Sequence, residues 1–326
     1  MSTATAEPAV RVALPVALEP PRWGRATRVE LLTLIAYFAG IVAFTDILNI
    51  RLGVEYMTLA VVVAAIGITR RPGQFLRDWW PLLLGLLLWN LSSALAALSP
   101  FPAHLDFMRN FDRVLGFGHD PVIEIQRFLA TGNNINPLDY VTGVTYNLHV
   151  PEPYIAAYLL WRVNRSAFFV FAASLLTLLV LGFITFVLFP AVPPWMASEW
   201  MHRIPDVTNR FSPVLHSHPL PFHTTPLFYF FPLAGDSVAA LPSQHAGIPF
   251  LEMLVFGLAL GRRAYVGFAV WVAWVLFTVV YLGEHWIVDA LAGYVYAAVS
   301  LLIGLWLLRR RLGVHPSNLR VSESVP

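Results

Sequence analysis

The sequence predicts an all-α fold, a polytopic integral membrane bundle of about eight transmembrane helices with further interfacial helices at the membrane surface. Three observations predict this class. Hydrophobic residues occupy 57% of the 326 positions and charged residues 12%, with a mean hydropathy of +0.65, whereas soluble domains carry about 25% charged residues. Apolar runs near the ~20 residues that cross a bilayer recur along the chain. Arginines lie in the short segments between these runs.

Eight apolar runs are the predicted spans. The second and the sixth are short, so a count of six also remains open. The predicted spans are residues 31–49, 53–69, 80–99, 140–161, 166–190, 246–260, 264–282 and 286–308.

The ends of the chain differ from the apolar middle. Residues 1–29 are rich in Ala, Pro and Arg without an apolar period, which predicts a disordered cytoplasmic tail. Residues 30–311 form a single predicted membrane domain, and residues 312–326 a second cytoplasmic tail. The run at 31–49 has no evident cleavage site and is interpreted as an uncleaved anchor.

The arginines predict the topology. If the N-terminus is cytoplasmic, the inner segments are "RWGRATR", "TRRPGQFLR", "WRVNR", "GRR" and "RRR", all of them basic. Short cytoplasmic loops carry such an excess of positive charge. We therefore predict an even number of spans and both termini in the cytoplasm. The predicted location is the plasma membrane.

Composition also limits the chemistry. The chain has no cysteine, so disulfides and thiolate sites are excluded. All 21 basic residues are arginines and the formal charge is +2, which is too balanced for a nucleic-acid surface. Catalysis would have to use His, Asp, Glu, Ser, Tyr or Arg.

Two long segments lie on the predicted outer side. Residues 104–130 suit helices in the interface plane, with either simple packing at the membrane surface or a substrate-gathering role. Residues 191–242 are dense in proline and aromatics and are interpreted as a lid or binding loop. In the first segment one helical face is apolar and the charged residues lie elsewhere; the apolar positions are Phe107, Phe111, Val114 and Leu115, and the charged ones Arg109, Asp112 and Arg113.

Two histidines begin the sixth and eighth predicted spans on the same side of the membrane. His245 lies in "LPSQHAGIPF" and His285 in "YLGEHWIVDALAGY". We expect His285 and Asp289 to share one helical face at i and i+4, so that the carboxylate accepts a proton from one ring nitrogen and leaves the other free. His245 at a helix start can donate a proton where phosphate binds favourably. A purely structural His–Asp pair is the alternative.

The ordered motifs carry a resemblance. "FPAVPPWM", "PSQHAG" and "YLGEHWIVD" resemble motifs of the type-2 phosphatidic acid phosphatase superfamily, in its inositol phosphorylceramide synthase branch, over about residues 140–308. The resemblance implies that His245 protonates the leaving group, that His285 attacks phosphorus, that Asp289 orients it, and that no metal or cofactor takes part. Thr278 and Val279 replace the Ser-Arg pair of the phosphatases, which argues against that branch.

Further residues are candidate substrate contacts. The resemblance extends to "YNLHVPEPYIAAYLLW" and suggests Tyr146 and His149, although a buried structural role for His149 is the alternative. Outer arginines are candidates because the guanidinium group matches phosphate oxygens. The complete predicted set is Ser243, Gln244, Tyr146, His149, Arg203, Arg210 and Tyr281.

A metal site is not predicted. His216, His218 and His223 could bind zinc only with a fourth ligand. Prolines interrupt the segment and no acidic residue is close by.

The predicted function is a membrane phosphotransferase with its site on the extracytoplasmic face. By resemblance it moves inositol phosphate from phosphatidylinositol to a lipid or glycolipid hydroxyl through a phosphohistidine, with phospholipid, acceptor lipid and bilayer as its partners. The alternatives are a lipid phosphate or polyprenyl (di)phosphate phosphatase and a non-catalytic transporter or scaffold. Histidines at span ends rather than at mid-depth disfavour the transporter. The sequence leaves the acceptor and the oligomeric state open.

Overall fold

The protein is described by a computed structural model, which covers residues 32, 36, 52–53, 62–64, 72–96, 99–130, 134–149, 151–211, 222–223, 238–314 and 319–320. These parts are almost entirely helical, which confirms the predicted all-α class. The only strands among them pair in parallel, β1 (Leu52–Gly53) with β2 (Phe222–His223). The helices are α1 (Pro72–Ala96), α2 (Asp106–Leu115), α3 (Pro121–Leu129), α4 (Pro137–Leu148), α5 (Glu152–Val163), α6 (Arg165–Leu188), α7 (Pro194–Glu199), α8 (Gln244–Leu260), α9 (Arg262–Tyr281) and α10 (Ile287–Leu312).

Among the described residues, three helices are long and apolar enough to cross a membrane. They are α6, α9 and the part of α10 over Ile287–Arg311, and α8 is a shorter apolar helix. The chain is therefore an integral membrane protein. The first two predicted spans, 31–49 and 53–69, lie almost wholly outside the described residues.

The long helices have clear local causes. The Asn164 side chain caps α6 by accepting the Ala167 N–H at 3.0 Å, which satisfies one of the free donors of the first turn. α10 ends at Leu312, and the residue that caps it, Gly313, has a left-handed φ of 63°, which suits glycine. Three arginines fill the last turn of α10, where positive charge offsets the helix dipole.

The span predicted at 140–161 is not one helix. The structure divides it into α4 and α5, with a break around His149 and Pro151. Proline lacks the backbone N–H that would continue α4, and Pro151 and Pro153 instead suit the start of a new helix. The break places His149 at the end of α4.

Helix α6 is the centre of the bundle. It packs against α1, α5, α8 and α10. At one end Asp78 of α1 is almost fully buried and accepts hydrogen bonds from Arg165 at the start of α6 and from Trp161 Nε1 at 3.0 Å. Because α6 contacts both α8 and α10, it holds together the two helices that follow the histidine motifs.

The predicted interfacial segment forms α2 and α3. The side chains of Phe107, Phe111, Val114 and Leu115 are exposed, which confirms the predicted apolar face. Asp112 was predicted on the polar remainder of the helix, but it is fully buried.

Candidate functional site

His245 lies in the first turn of α8. Ser243 is the N-cap residue, and its hydroxyl accepts the Ala246 N–H at 3.3 Å. Serine is among the residues that best satisfy the free N–H groups of a helix start. The predicted helix start at His245 is confirmed.

His285 lies before its helix rather than on it. α10 begins at Ile287 with Trp286 as the N-cap residue. Asp289 turns back along its own first turn, and its Oδ2 accepts the Trp286 N–H at 2.8 Å. The expectation that His285 and Asp289 share one helical face is therefore wrong, because Asp289 caps the helix that starts between them.

A backbone carbonyl orients the His285 ring. Nδ1 lies 2.9 Å from the Ala240 oxygen, whereas Asp289 Oδ2 is 3.7 Å from the same nitrogen, beyond a hydrogen bond. Because a carbonyl only accepts, Nδ1 must carry the proton. Nε2 is then left with a lone pair, the tautomer that a histidine nucleophile requires. Asp289 nevertheless stays within ion-pair distance of the ring.

The "FPAVPPW" motif holds this carbonyl in place. Ala240 donates its N–H to the Ala191 oxygen at 3.2 Å, and Ala191 donates to Val238 at 2.7 Å. The next residue, Val192, accepts the Trp286 indole N–H at 2.8 Å. The motif therefore holds in place both Ala240, whose carbonyl accepts from His285, and Trp286, which follows His285 in the chain.

The structure brings the two histidines together. His285 Nε2 lies 3.3 Å from His245 Nδ1, and the ring centroids are 5.3 Å apart. His285 is only 5% exposed. Two nitrogens at this distance can exchange a proton directly and can both reach the oxygens of one phosphate group.

A glycine crossing allows this approach. An added Cβ at Gly247 would lie 3.0 Å from the Gly293 oxygen, and one at Gly293 would overlap the Ser243 carbonyl oxygen. The backbone N–H of Ser243 also donates to the backbone carbonyl oxygen of Asp289 at 2.9 Å. The starts of α8 and α10 therefore meet backbone to backbone, with one histidine on each side.

We expect Gly293→Ala to destabilise the protein by about 1–3 kcal/mol, the usual cost of overpacking, and to lower activity by moving His245 from His285. The control is Gly267→Ala, since an added Cβ at Gly267 in α9 meets nothing within 4 Å. Alanine there should be neutral or stabilising, because glycine weakens a helix interior. The measurement is the unfolding midpoint of each variant in detergent. Equal midpoints for Gly293→Ala and Gly267→Ala would contradict the close backbone contact at Gly293.

Two rings from the end of α4 pack on His245. Tyr146 stacks on it with centroids 4.0 Å apart, and His149 lies at 3.9 Å. Both were predicted substrate contacts, and the end of α4 places both against His245. His149 is buried.

Arg210 and Tyr281 meet at Asp139 instead. Arg210 donates to both carboxylate oxygens of Asp139, and the Tyr281 hydroxyl donates to Oδ1 at 2.7 Å. Arg210 is 4% and Asp139 1% exposed. The predicted phosphate ligand Arg210 is thus engaged in a buried ion pair that joins the start of α4 to the end of α9.

The remaining predicted contacts lie apart from this network. The Gln244 side chain is buried against Gly182 of α6. Arg203 is exposed and reaches Asp106 at 3.4 Å. His216 and His218 lie outside the described residues, and the side chain of His223 is not described.

Comparison with known proteins agrees with the motifs. The family model of the PAP2 superfamily matches residues 106–303. The chain belongs to the PAP2 superfamily. The predicted resemblance is thereby confirmed, since the match contains every residue of the candidate site.

A relative points to one branch of this superfamily. The chain is similar to a phosphoinositol dihydroceramide synthase of Bacteroides thetaiotaomicron, with 29% identity over 170 residues. The aligned part is 48% of this chain and 52% of the relative, so the chain covers about half of that protein. No solved structure matches the chain.

Proposed function

We propose that this PAP2-superfamily protein is a lipid phosphotransferase that works through a phosphohistidine on His285. The observation that carries the proposal is the placement of the His285 ring, with Nδ1 2.9 Å from the Ala240 carbonyl oxygen and Nε2 3.3 Å from His245 Nδ1. A ring that donates Nδ1–H to this carbonyl keeps Nε2 unprotonated, and a nucleophile needs such a nitrogen beside a group that can give and take a proton.

The reaction proceeds in two balanced halves. His285 Nε2 attacks phosphorus of a phosphodiester lipid, a P–N bond forms, the P–O bond to the lipid alcohol breaks, and His245 gives the departing oxygen its proton. An acceptor hydroxyl then passes its proton to His245 while its oxygen attacks phosphorus and the P–N bond breaks. The enzyme returns to its starting protonation state.

An entering phosphate group must separate the two imidazoles. In-line displacement places the attacking nitrogen and the leaving oxygen on opposite sides of phosphorus. The acid therefore has to stand across the phosphate from His285 rather than against it. Tyr146 and His149 face His245 and are proposed to guide its ring during this displacement.

The relative and the motifs support the proposed lipids. The similarity to the Bacteroides phosphoinositol dihydroceramide synthase supports inositol phosphate as the transferred unit and a ceramide-type lipid as one acceptor. Phosphatidylinositol is the matching donor. Transfer rather than hydrolysis requires that the acceptor be held in a site that excludes water.

The arginine distribution supports the location. Basic segments between the predicted spans favour a cytoplasmic N-terminus and C-terminus, and the plasma membrane is the proposed location. The proposed eight-span topology requires α4 and α5 together to cross the membrane once, and both histidines then lie at the extracytoplasmic face.

The experiment uses purified full-length protein in vesicles with head-group-labelled phosphatidylinositol. Ceramide, dihydroceramide, diacylglycerol and a glycolipid are supplied one at a time. We expect label to move to at least one acceptor lipid, with little water-soluble label in the absence of acceptor. Release of label to water at the same rate without an acceptor would instead identify a hydrolase. Failure to process any of these lipids would contradict the proposal.

A further inference from the structure

A buried carboxylate from the surface helix α2 holds the start of α10. Asp112 is fully buried. Its Oδ2 accepts the Ile287 N–H at 2.7 Å and its Oδ1 accepts the Val288 N–H at 2.9 Å. These are two of the N–H groups that every helix start leaves without an intrahelical partner.

The two amides directly follow the histidine motif. His285 is separated from Ile287 only by Trp286, whose own N–H is capped by Asp289. Three successive amides, from Trp286 to Val288, are therefore held by two carboxylates, one local and one from a distant helix. Because the backbone at 286–288 cannot shift without breaking these bonds, the position of His285 is fixed relative to α2.

We propose that Asp112 is a positioning residue that fixes the His285 segment against α2. The kinetic part of this inference rests on the proposed function, but the structural part does not. Asp112 makes its contacts through backbone amides and acts on His285 through the chain.

Burial makes this arrangement costly, which argues against incidental packing. A helix start is usually capped by a side chain of its own segment, and α10 already has Asp289 for that purpose. A second, fully buried carboxylate is unfavourable unless charge-assisted hydrogen bonds offset its loss of water. Here both of its oxygens are used.

The surroundings of Asp112 also make the contact sensitive to pH. Burial raises the pKa of Asp112 to about 7, the amides of Ile287 and Val288 act in the opposite direction, and the negative charges of Asp289 and Asp120 raise it further. Arg109 is paired with Asp120 at 2.9 Å. Protonation below about pH 7 would remove the charge from the cap and weaken both hydrogen bonds.

The first test measures hydrogen–deuterium exchange and needs no substrate. In Asp112→Ala we expect the amides of Ile287 and Val288 to exchange about 10- to 100-fold faster, as expected when a hydrogen bond to a charged group is lost. Asp112→Asn keeps one carbonyl oxygen and should give a smaller change. The matched control is Asp106→Asn on the same helix, because Asp106 is 75% exposed. In the wild type, exchange corrected for its intrinsic rate should accelerate below pH 7.

The second test measures head-group transfer. We expect Asp112→Ala to lower kcat by about 100-fold with KM nearly unchanged, since displacement of a reacting group by about 1 Å has such an effect. Unchanged amide exchange in both Asp112 variants would overturn the inference, and so would faster exchange with an unchanged kcat. If the wild type transfers no head group, the proposed function fails, while the exchange data still decide whether Asp112 holds the segment.

Discussion

Replacement of His285 by alanine is expected to lower head-group transfer by at least about 10⁴-fold, because it removes the nucleophile and with it the covalent route. KM should change little, since the lipid binds mainly through groups remote from phosphorus. The measurement is label transfer from phosphatidylinositol in vesicles under single-turnover conditions. Wild-type protein should also form an acid-labile phosphoprotein that the variant does not form.

The partner histidine provides the internal comparison. We expect His245→Ala to lower the rate of head-group transfer by about 10²–10⁴-fold, the range of general acid–base catalysis. The double variant should be no slower than His285→Ala alone, because residues that act as one unit lose function together. His119→Ala is the control, since its side chain is 73% exposed. Label transfer by His285→Ala at the control rate would remove His285 from the mechanism.

The sequence predicted the meeting of the two histidines for a physical reason. Each lies beside a helix start, and arginine placement put both starts on one side of the membrane. The sequence did not predict a role for the glycines of "HAG" and "LAGY", Gly247 and Gly293. The structure shows that Gly247 and Gly293 allow the backbone approach on which the 3.3 Å contact depends.

The ring partner of His285 could not be predicted in the same way. Every residue has a backbone carbonyl, so nothing in the sequence distinguishes Ala240 as the acceptor. The i, i+4 spacing indicated Asp289 instead, because a helix was assumed to include His285. Sequence patterns locate helix boundaries only to within a few residues. Because α10 begins after His285, the Ala240 carbonyl rather than Asp289 accepts from Nδ1 of His285.

Asp112 shows a second limit. The sequence placed Asp112 away from the apolar face of an amphipathic helix but did not predict what covers it, whereas the four apolar side chains are exposed on one face as predicted. Asp112 is buried only because α2 docks on the start of α10, a contact between residues 175 positions apart. Periodicity describes one helix and does not report what covers its other side.

Arg210 shows how burial changes the interpretation of an arginine, and it carries the second large expected effect. We expect Arg210→Met to destabilise the protein by about 3–5 kcal/mol, because removing one partner of a buried ion pair leaves the other charge uncompensated. Asp139 would keep only the Tyr281 hydroxyl and the Asn136 amide as its donors among the contacts described. The measurement is the unfolding midpoint in mixed detergent micelles.

The control for Arg210 comes from the same loop. Arg203 and Asp106 form an ion pair of the same type, but their side chains are 55% and 75% exposed, so Arg203→Met should change stability by less than about 1 kcal/mol. A phosphate ligand predicts the opposite pattern at Arg210, a raised KM with an unchanged midpoint. That result would indicate that Arg210 binds the phosphate of the substrate. Loss of stability with a near-normal KM in the surviving folded fraction would instead assign it to holding α4 and α9 together, and so to supporting Tyr146 and His149 beside His245.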